Sequence, residues 1–388
     1  LADRKLRVAR VSTVPFFVLT QLSSQIQTLQ ALGTEITVIA SDDEFADKMA
    51  ILADVAFMPI NISRNISPLN DLVSLMKLFR VFKSSQFDIV HSTTPKAGLL
   101  CAIAAFVART PVRIHTFTGQ PWVTMSGIKR LVLKCCDRLI GVLNTHCYTD
   151  SKSQRQFLVD NNIVGAANIS VLGSGSLAGV DLKRFSRAKY TEDEMLSLKE
   201  QLSIPAESKV ILFVGRITQD KGIQELVDAF QCIASQNVSL HLLLVGPFED
   251  NGQAIVDSVS GSDVATRIHS VGFSDEPEKY MAIADLLCLP SYREGFGTVV
   301  IEAGAMELPT VGTDIYGLSD AVVDGVTGVL VPPRDTRSLG NALARLLVEE
   351  DTRLSMGAHA SARAHSEFSS VKCATLLLDD YKRLLNER

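Results

Sequence analysis

Strand-length apolar runs alternate with helix-length segments twice along this chain, and a stretch of glycine and serine separates the two series. Such alternation places parallel strands in a sheet with helices on its faces. The first series opens with a strand over 6–12. After Thr13-Val14-Pro15-Phe16-Phe17 comes an amphipathic helix reaching Leu32, with Gly33 as its stop. A strand over 36–40, an acidic turn at Asp42-Asp43-Glu44 leading into a helix, and a strand ending at Asn61 come next. The spacing then predicts a helix over 68–83 with Leu72, Leu75, Met76, Phe79 and Phe82 on one face. Strands over 88–91 and 112–118 alternate with helices over 97–108 and 127–144, and a strand region over 166–172 comes after a further helix. Gly173-Ser174-Gly175-Ser176-Leu177-Ala178-Gly179 has the composition of a linker. The second series has strands over 210–214, 240–245, 268–272, 284–289, 310–313 and 328–331. Between them lie a helix over 221–235, another after 245 and a short one from Asp275, and helices run to the end.

At 388 residues the chain has room for two domains. The break predicts one over 1–178 and one over 179–368, with a last helix over about 369–388 packing back on the first. Hydrophobic residues make up 46% and charged residues 21%, which suits full cores. A net charge of −5 argues against a nucleic-acid partner. The seven cysteines, Cys101, Cys135, Cys136, Cys147, Cys232, Cys288 and Cys373, are scattered and mostly within apolar runs. They read as buried free thiols in a reducing cytoplasm, with no metal-ligand spacing. No apolar run is long enough to span a bilayer. The opening Leu1-Ala2-Asp3-Arg4-Lys5 reads as leading into the first strand, not as a signal peptide.

The most informative stretch is Pro290-Ser-Tyr-Arg-Glu-Gly-Phe-Gly-Thr-Val-Val-Ile-Glu-Ala-Gly-Ala-Met306. A buried strand, a turn with Gly295 and Gly297, and a helix from Thr298 succeed one another. Unpaired amides at such a helix start suit an anion. Glu294 and Glu302 flank that cradle, and carboxylates there accept hydrogen bonds from sugar hydroxyls beside a phosphate. Gly215-Arg216 leaves the strand over 210–214 and Lys221 opens the next helix. Both cations fall at the carboxyl edge of a parallel sheet, where ligands bind. A lysine at a helix start opposes the helix dipole, so it points to a function, the competing reading being an ion pair with Asp220. Val245-Gly246 and Val271-Gly272-Phe273 end two more strands at that edge.

In the first half, His91 and His115 lie near strand ends, succeeded by Ser92-Thr93-Thr94-Pro95-Lys96 and Thr116-Phe117-Thr118-Gly119-Gln120. Hydroxyl-rich loops at two carboxyl ends suit a sugar or phosphate, although a lone histidine is more often a core or surface residue. The first loop carries Pro15-Phe16-Phe17 and no G-x-G-x-x-G, which argues against a classical dinucleotide dehydrogenase. Ser174 and Ser176 lack a nucleophile elbow, so a serine hydrolase has no support.

These motifs together resemble the retaining glycosyltransferases of glycosyltransferase family four, which have the GT-B fold of two Rossmann-like α/β domains facing a cleft. The resemblance covers nearly the whole chain. It rests on Glu294-Gly-Phe-Gly-Thr-Val-Val-Ile-Glu302, on Val214-Gly-Arg216 with Lys221-Gly222, and on Gly179-Val-Asp181 with Arg184-Phe185. His91-Ser-Thr-Thr-Pro-Lys96-Ala-Gly98 and His115-Thr-Phe-Thr-Gly119-Gln-Pro-Trp122 are similar to bacterial enzymes of capsule, O-antigen and lipid-linked saccharide synthesis. The resemblance implies a nucleotide-sugar donor, expected to be uridine-linked, and a saccharide acceptor, expected to be lipid-linked. No metal or other cofactor is expected. It implies that Arg216 and Lys221, next to Gly215, hold the diphosphate, that Glu302 binds ribose and that Glu294 holds the transferred sugar. Amides of Phe296, Gly297, Thr298 and Val299 would meet phosphate, and Val271–Phe273 would line the base. Acceptor contacts would come from Phe16, His91, Lys96, His115 and Thr118. Thr118 stands where many relatives carry histidine, and Pro15-Phe16-Phe17 replaces their glycine pair. A nucleotide-sugar epimerase on the same scaffold and a non-catalytic sugar-nucleotide sensor are the rival readings. The epimerase would turn over donor alone.

Arg130, Lys134 and Arg138 recur every four residues along the helix over 127–144, with Lys129 beside them and apolar residues covering much of the rest. In the helix over 68–83, Lys77, Arg80 and Lys83 again flank apolar residues. In an acidic chain this predicts a peripheral station on anionic lipid at the inner face of the cytoplasmic membrane, the competing reading being two core helices with solvated lysines and arginines.

Overall fold

The computed structural model describes residues 4–52, 55–63, 67–235 and 239–388; residues 1–3 of the opening stretch lie outside them. The chain forms two compact units. One comprises Leu1–Gly179 with Ser370–Arg388, the other Val180–Ser369.

The first unit is built on seven parallel strands: β1 (Arg7–Val11), β2 (Glu35–Ala40), β3 (Ala56–Pro59), β4 (Ile89–Thr93), β5 (Val112–Phe117), β6 (His146–Thr149) and β7 (Ile169–Val171). They lie in the order β3-β2-β1-β4-β5-β6-β7, so the winding direction reverses between β1 and β4. Val8 faces Ile36 on one side and Ile89 on the other. Helices cover both faces, which is why these strands read as near-continuous apolar runs. On one face Val8, Ile36 and Ile114 pack against Ile26 and Leu29 of helix Ser23–Ala31 and against Leu377 and Tyr381 of helix Ser370–Asn386. On the other face Ala9, Val11 and Val90 pack against Leu78, Phe82, Leu100 and Ala104. These four come from helices Pro68–Ser85 and Pro95–Ala108, each opened by a proline in its first turn, where a missing N–H costs nothing. Helix Gly127–Leu143 packs beside helix Pro95–Ala108 on that same face.

The second unit has six parallel strands: β8 (Lys209–Val214), β9 (Leu240–Val245), β10 (Ile268–Gly272), β11 (Leu286–Leu289), β12 (Thr310–Thr313) and β13 (Gly328–Val331). Their order is β10-β9-β8-β11-β12-β13, with the reversal between β8 and β11. Val210, Leu212, Leu242, Leu244, Leu226 and Phe230 are among the fully buried residues of its single core. Ligands of open α/β sheets bind outside the strand carboxyl ends at such a reversal. The loops after β1 and β4, and those after β8 and β11, are therefore the places to look.

The structure also departs from the sequence reading. The single helix expected up to Leu32 is interrupted: a short turn at Pro15–Phe17 and a widened π-helical turn at Val18–Leu22 precede helix Ser23–Ala31. The buried face of helix Pro68–Ser85 is rotated. Ser74, Leu78 and Phe82 are buried, while Leu72 and Met76 are exposed, because apolar residues lie all round this helix and periodicity alone did not select the core side. The strand β6 was missed; His-Cys-Tyr-Thr is only four residues long and comes almost directly after its helix. Cys135 and Cys232 are exposed and Cys136 is partly so, which corrects the expectation of buried thiols for these three.

Candidate functional site

The carboxyl edge of the second sheet gathers the charged residues singled out in the sequence. β8 ends at Val214, and the chain passes through Gly215 and Arg216 into a short turn, Gln219–Lys221, before helix Ile223–Ala234. Gly222 joins turn to helix at φ 73, and a Cβ built there would lie 2.0 Å from the Pro290 carbonyl oxygen. Only glycine lets the start of this helix lie against the loop after β11. That approach places Lys221 Nζ 2.5 Å from Glu294 Oε1, across a separation of 73 residues. The Ser291 hydroxyl donates to the same oxygen at 2.8 Å, and Thr313 Oγ1 donates to the Ser291 carbonyl. Glu294 is thus held through one oxygen. Asp220, the competing partner for Lys221, instead pairs with Arg293 at 2.8 Å and accepts from Thr218. Arg216 bridges to Glu249 at 2.8 Å, and both remain open to solvent.

Beyond Glu294 the chain turns through Gly297 at φ 83 into helix Thr298–Ala305. Phe296 is buried against Phe368, with ring centroids 5.2 Å apart, which anchors the turn. The amides of Phe296, Gly297, Thr298 and Val299 donate to no protein acceptor among the described residues. Four free N–H groups at a helix start form an anion cradle. Glu302 lies one turn into this helix. Burial pushes its carboxyl up to about 7; the Arg184 guanidinium opposes that and the Glu278 charge adds to it. Arg184 grips Glu278 through two bonds of 2.9 and 2.8 Å, and its guanidinium lies within electrostatic reach of Glu302. Val271 is half-buried at the end of β10, and Phe273 just beyond it is exposed. Among the described residues no cluster of three or more His, Cys, Asp or Glu side chains could hold a metal ion.

The first sheet's carboxyl edge is organised differently. The loops after β1 and β4 are tied by Thr13 and Thr94, whose hydroxyls are 2.8 Å apart. Phe16, Lys96 and Thr118 come after β1, β4 and β5 and keep partial exposure at this edge. Phe16 leans on Phe45, and Lys96 Nζ is 2.6 Å from Asp71. His91 and His115 do not fit the acceptor-contact expectation, since each is only 2% exposed. His91 Nδ1 accepts from Arg10 Nη1 at 2.7 Å and from the Tyr381 hydroxyl at 2.5 Å. The His91 proton therefore sits on Nε2, which donates to Thr116 Oγ1 at 2.7 Å. Burial, then the Arg10 charge, keeps His91 neutral. His115 shares a hydrogen bond of 3.0 Å with Ser92 and burial holds it down at about 3. Both histidines tie strands together inside the unit, beneath the polar loops that drew attention to them.

Sequence reasoning missed Ser291 and Thr313, which orient Glu294, and Arg10 and Tyr381, which fix His91. Arg10 had a signal: a charged residue at the centre of an apolar strand is either paired or special. It is 1% exposed, and its Nε and Nη2 find no partner among the described residues. Asp150, at the carboxyl end of β6, is also buried, with Oδ1 unpartnered and its carboxyl pushed up to about 8.

Comparison with known proteins agrees with this layout. Residues 18–175 match the family described as glycosyl transferase 4-like domain, and residues 195–363 match glycosyl transferases group 1. The Staphylococcus aureus capsular polysaccharide biosynthesis glycosyltransferase CapM is 30% identical over 371 residues, 94% of each chain. The Escherichia coli UDP-Gal:alpha-D-GlcNAc-diphosphoundecaprenol alpha-1,3-galactosyltransferase is 27% identical over 298 residues, 75% of this chain and 74% of that protein. Among solved structures, Anabaena HepE in complex with UDP and glucose superposes with a TM-score of 0.81 at 18% identity, covering 97% of this chain and 100% of that one. At that identity the likeness shows the fold alone, two Rossmann-like units of the GT-B type.

Proposed function

Because this chain belongs to the group 1 family of glycosyl transferases, we propose that it transfers a hexosyl or N-acetylhexosaminyl group from a UDP-sugar to a lipid-linked saccharide, with retained configuration, in the making of a bacterial surface polysaccharide. The observation that carries this reading is the Lys221–Glu294 pair of 2.5 Å beside four unbonded amides at a helix start. An incoming diphosphate competes for Lys221 and takes the amides of residues 296–299. Glu294, still held by Ser291, is then free to accept from hydroxyls of the sugar. Arg216 adds the second cation. Charge that develops on the leaving diphosphate is met by groups already in place, which is electrostatic catalysis. The acceptor hydroxyl attacks the anomeric carbon on the face that the diphosphate leaves. Its proton passes to a diphosphate oxygen, so no carboxylate nucleophile takes part. The two side-chain cations and the helix start carry the charge balance in this scheme, and no metal ion is assigned a part. The lipid-linked acceptor rests on likeness to the galactosyltransferase that acts on a diphosphoundecaprenol acceptor. On this reading the enzyme works at the inner surface of the cytoplasmic membrane.

The experiment is incubation with a panel of nucleotide sugars and a bacterial lipid extract, then mass spectrometry, with and without EDTA. A UDP-sugar should be consumed only when extract is present, and EDTA should leave the rate unchanged. Donor turnover without extract would favour an epimerase. Loss of activity in EDTA that magnesium or manganese restores would overturn the metal-free scheme.

The two glutamates separate by their partners. Glu302→Gln is expected to weaken UDP itself, because its partner is ribose. Glu294→Gln should leave UDP affinity nearly unchanged and lower turnover. The carboxylate form of Glu302 is the better acceptor, and burial pushes its carboxyl up to about 7. Affinity for a UDP-sugar should therefore rise as pH increases through that value and level off above it, with Glu302→Gln removing this step. Calorimetric titrations across pH check this; identical pH profiles for both proteins would exclude ribose binding by Glu302.

A further inference from the structure

We propose that the outer surface of helices Pro68–Ser85, Pro95–Ala108 and Gly127–Leu143 is a docking face for an anionic lipid bilayer. The three helices lie side by side on one face of the first sheet, with Pro95–Ala108 in the middle. The middle helix is apolar nearly all round and mostly covered, as a core helix is. Its two neighbours each satisfy the core with one stripe and carry a second apolar stripe outward.

On helix Gly127–Leu143 the buried positions are Asp137, Ile140 and Gly141. Ile128, Val132, Cys135, Leu139 and Val142 recur at intervals of four and three residues, so they form a separate line along the helix. All five are exposed, with Ile128 at 80% and Val142 at 77%. Leu69, Val73 and Met76 form the matching line on helix Pro68–Ser85, with Leu69 at 81%. Phe106 and Val107 emerge at the end of the middle helix. Apolar side chains aligned in this way exceed the scattered exposure that any soluble surface shows.

Charge decides what covers the face. The three helices carry eight basic and two acidic side chains, a net +6 in a chain of net −5. Both acids are engaged: Asp71 with Lys96 at 2.6 Å, and Asp137 with the Trp122 indole at 2.7 Å. Lys77, Arg80, Lys83, Lys129 and Arg130 are exposed and make no ion pair among the described residues. Lys134 and Arg138 bond Asn161 and the 161–162 carbonyls, which neutralises neither charge. A second copy of the chain is disfavoured, since a two-fold contact would set one cationic face against another. A bilayer with anionic headgroups matches both properties. The apolar lines enter the acyl boundary and the lysines and arginines stay at headgroup level. No helix among the described residues is long and apolar enough to cross a membrane, so the contact is with one leaflet.

The inference deepens the lipid-linked acceptor reading but is tested without donor or acceptor. The full chain is co-sedimented with vesicles of phosphatidylcholine alone and of phosphatidylcholine with an equal part of phosphatidylglycerol, at low and high salt. Binding is expected only to the anionic vesicles and should weaken as salt rises. Lys129→Glu with Arg130→Glu should lower binding about tenfold or more. Ile128→Ser with Val142→Ser should also lower it, although it leaves the charge intact. Near-ultraviolet dichroism and the emission of the single tryptophan, Trp122, verify that each variant is folded. Equal binding to both vesicle types, or binding to neither, overturns the proposal. So does a dimer in sedimentation velocity that the Ile128/Val142 variant abolishes, because the face would then belong to a second copy. Transfer to an acceptor in detergent micelles tests the glycosyltransferase reading separately.

Discussion

Lys221→Ala is expected to lower turnover by about a hundred- to a thousandfold, the usual cost of deleting one preorganised group that meets charge in the transition state. Its ammonium is the only cation within bonding distance of Glu294 among the described residues, and it sits beside the unbonded amides. UDP affinity should fall by less, roughly ten- to a hundredfold, as for one charge-assisted contact. The difference arises because charge on the diphosphate is greatest as it leaves. Arg216→Ala should change both quantities in the same direction, by less in turnover, since Arg216 is solvent-exposed and shared with Glu249. Steady-state kinetics with calorimetric titration of UDP check this. Wild-type turnover in Lys221→Ala would remove Lys221 from the site.

Gly222→Ala should cost about 3 kcal/mol or more of stability in the second unit and abolish UDP binding in what remains folded. Two causes act together. The residue sits at φ 73, a region that a Cβ penalises, and its Cβ would meet the backbone of Pro290 at 2.0 Å. Neither side is a flexible side chain that can yield. The loops after β8 and β11 would have to part, carrying Lys221 away from Glu294. Gly33→Ala is the control, because Gly33 has φ 92 but no atom within 4 Å of its built Cβ. It should lose only the cost of the left-handed backbone, about 1 kcal/mol. Denaturant unfolding of the two variants separates strain from collision; equal losses would show that the close approach to Pro290 carries no weight.

Much of this was legible in the sequence because parallel α/β units advertise themselves. Val-Ile-Leu-Phe-Val and Leu-His-Leu-Leu-Leu-Val leave little choice but buried strands, and the loops at their carboxyl ends lie at the ligand edge. Arg216, Lys221, Glu294 and the turn at 295–297 were found by that rule. Their partnerships were not, since Lys221 meets Glu294 across 73 residues and Ser291 acts through an oxygen that no spacing reveals. His91 and His115 misled for a physical reason: the loops after them are polar, but strand residues covered by helices on both sides are buried whatever their polarity. The helix Pro68–Ser85 misled in the opposite sense. Periodicity finds an apolar face, but it does not say which of two faces meets the core.

The central claim is transfer with retention from a donor held by Arg216, Lys221, Glu294 and the helix start. The direct measurement is proton NMR of the reaction at early times, with a UDP-sugar of known anomeric configuration and the extracted acceptor. The account predicts that the first glycosidic product carries the donor's anomeric configuration. An inverted first product, or a new nucleotide sugar formed with no acceptor consumed, would contradict it.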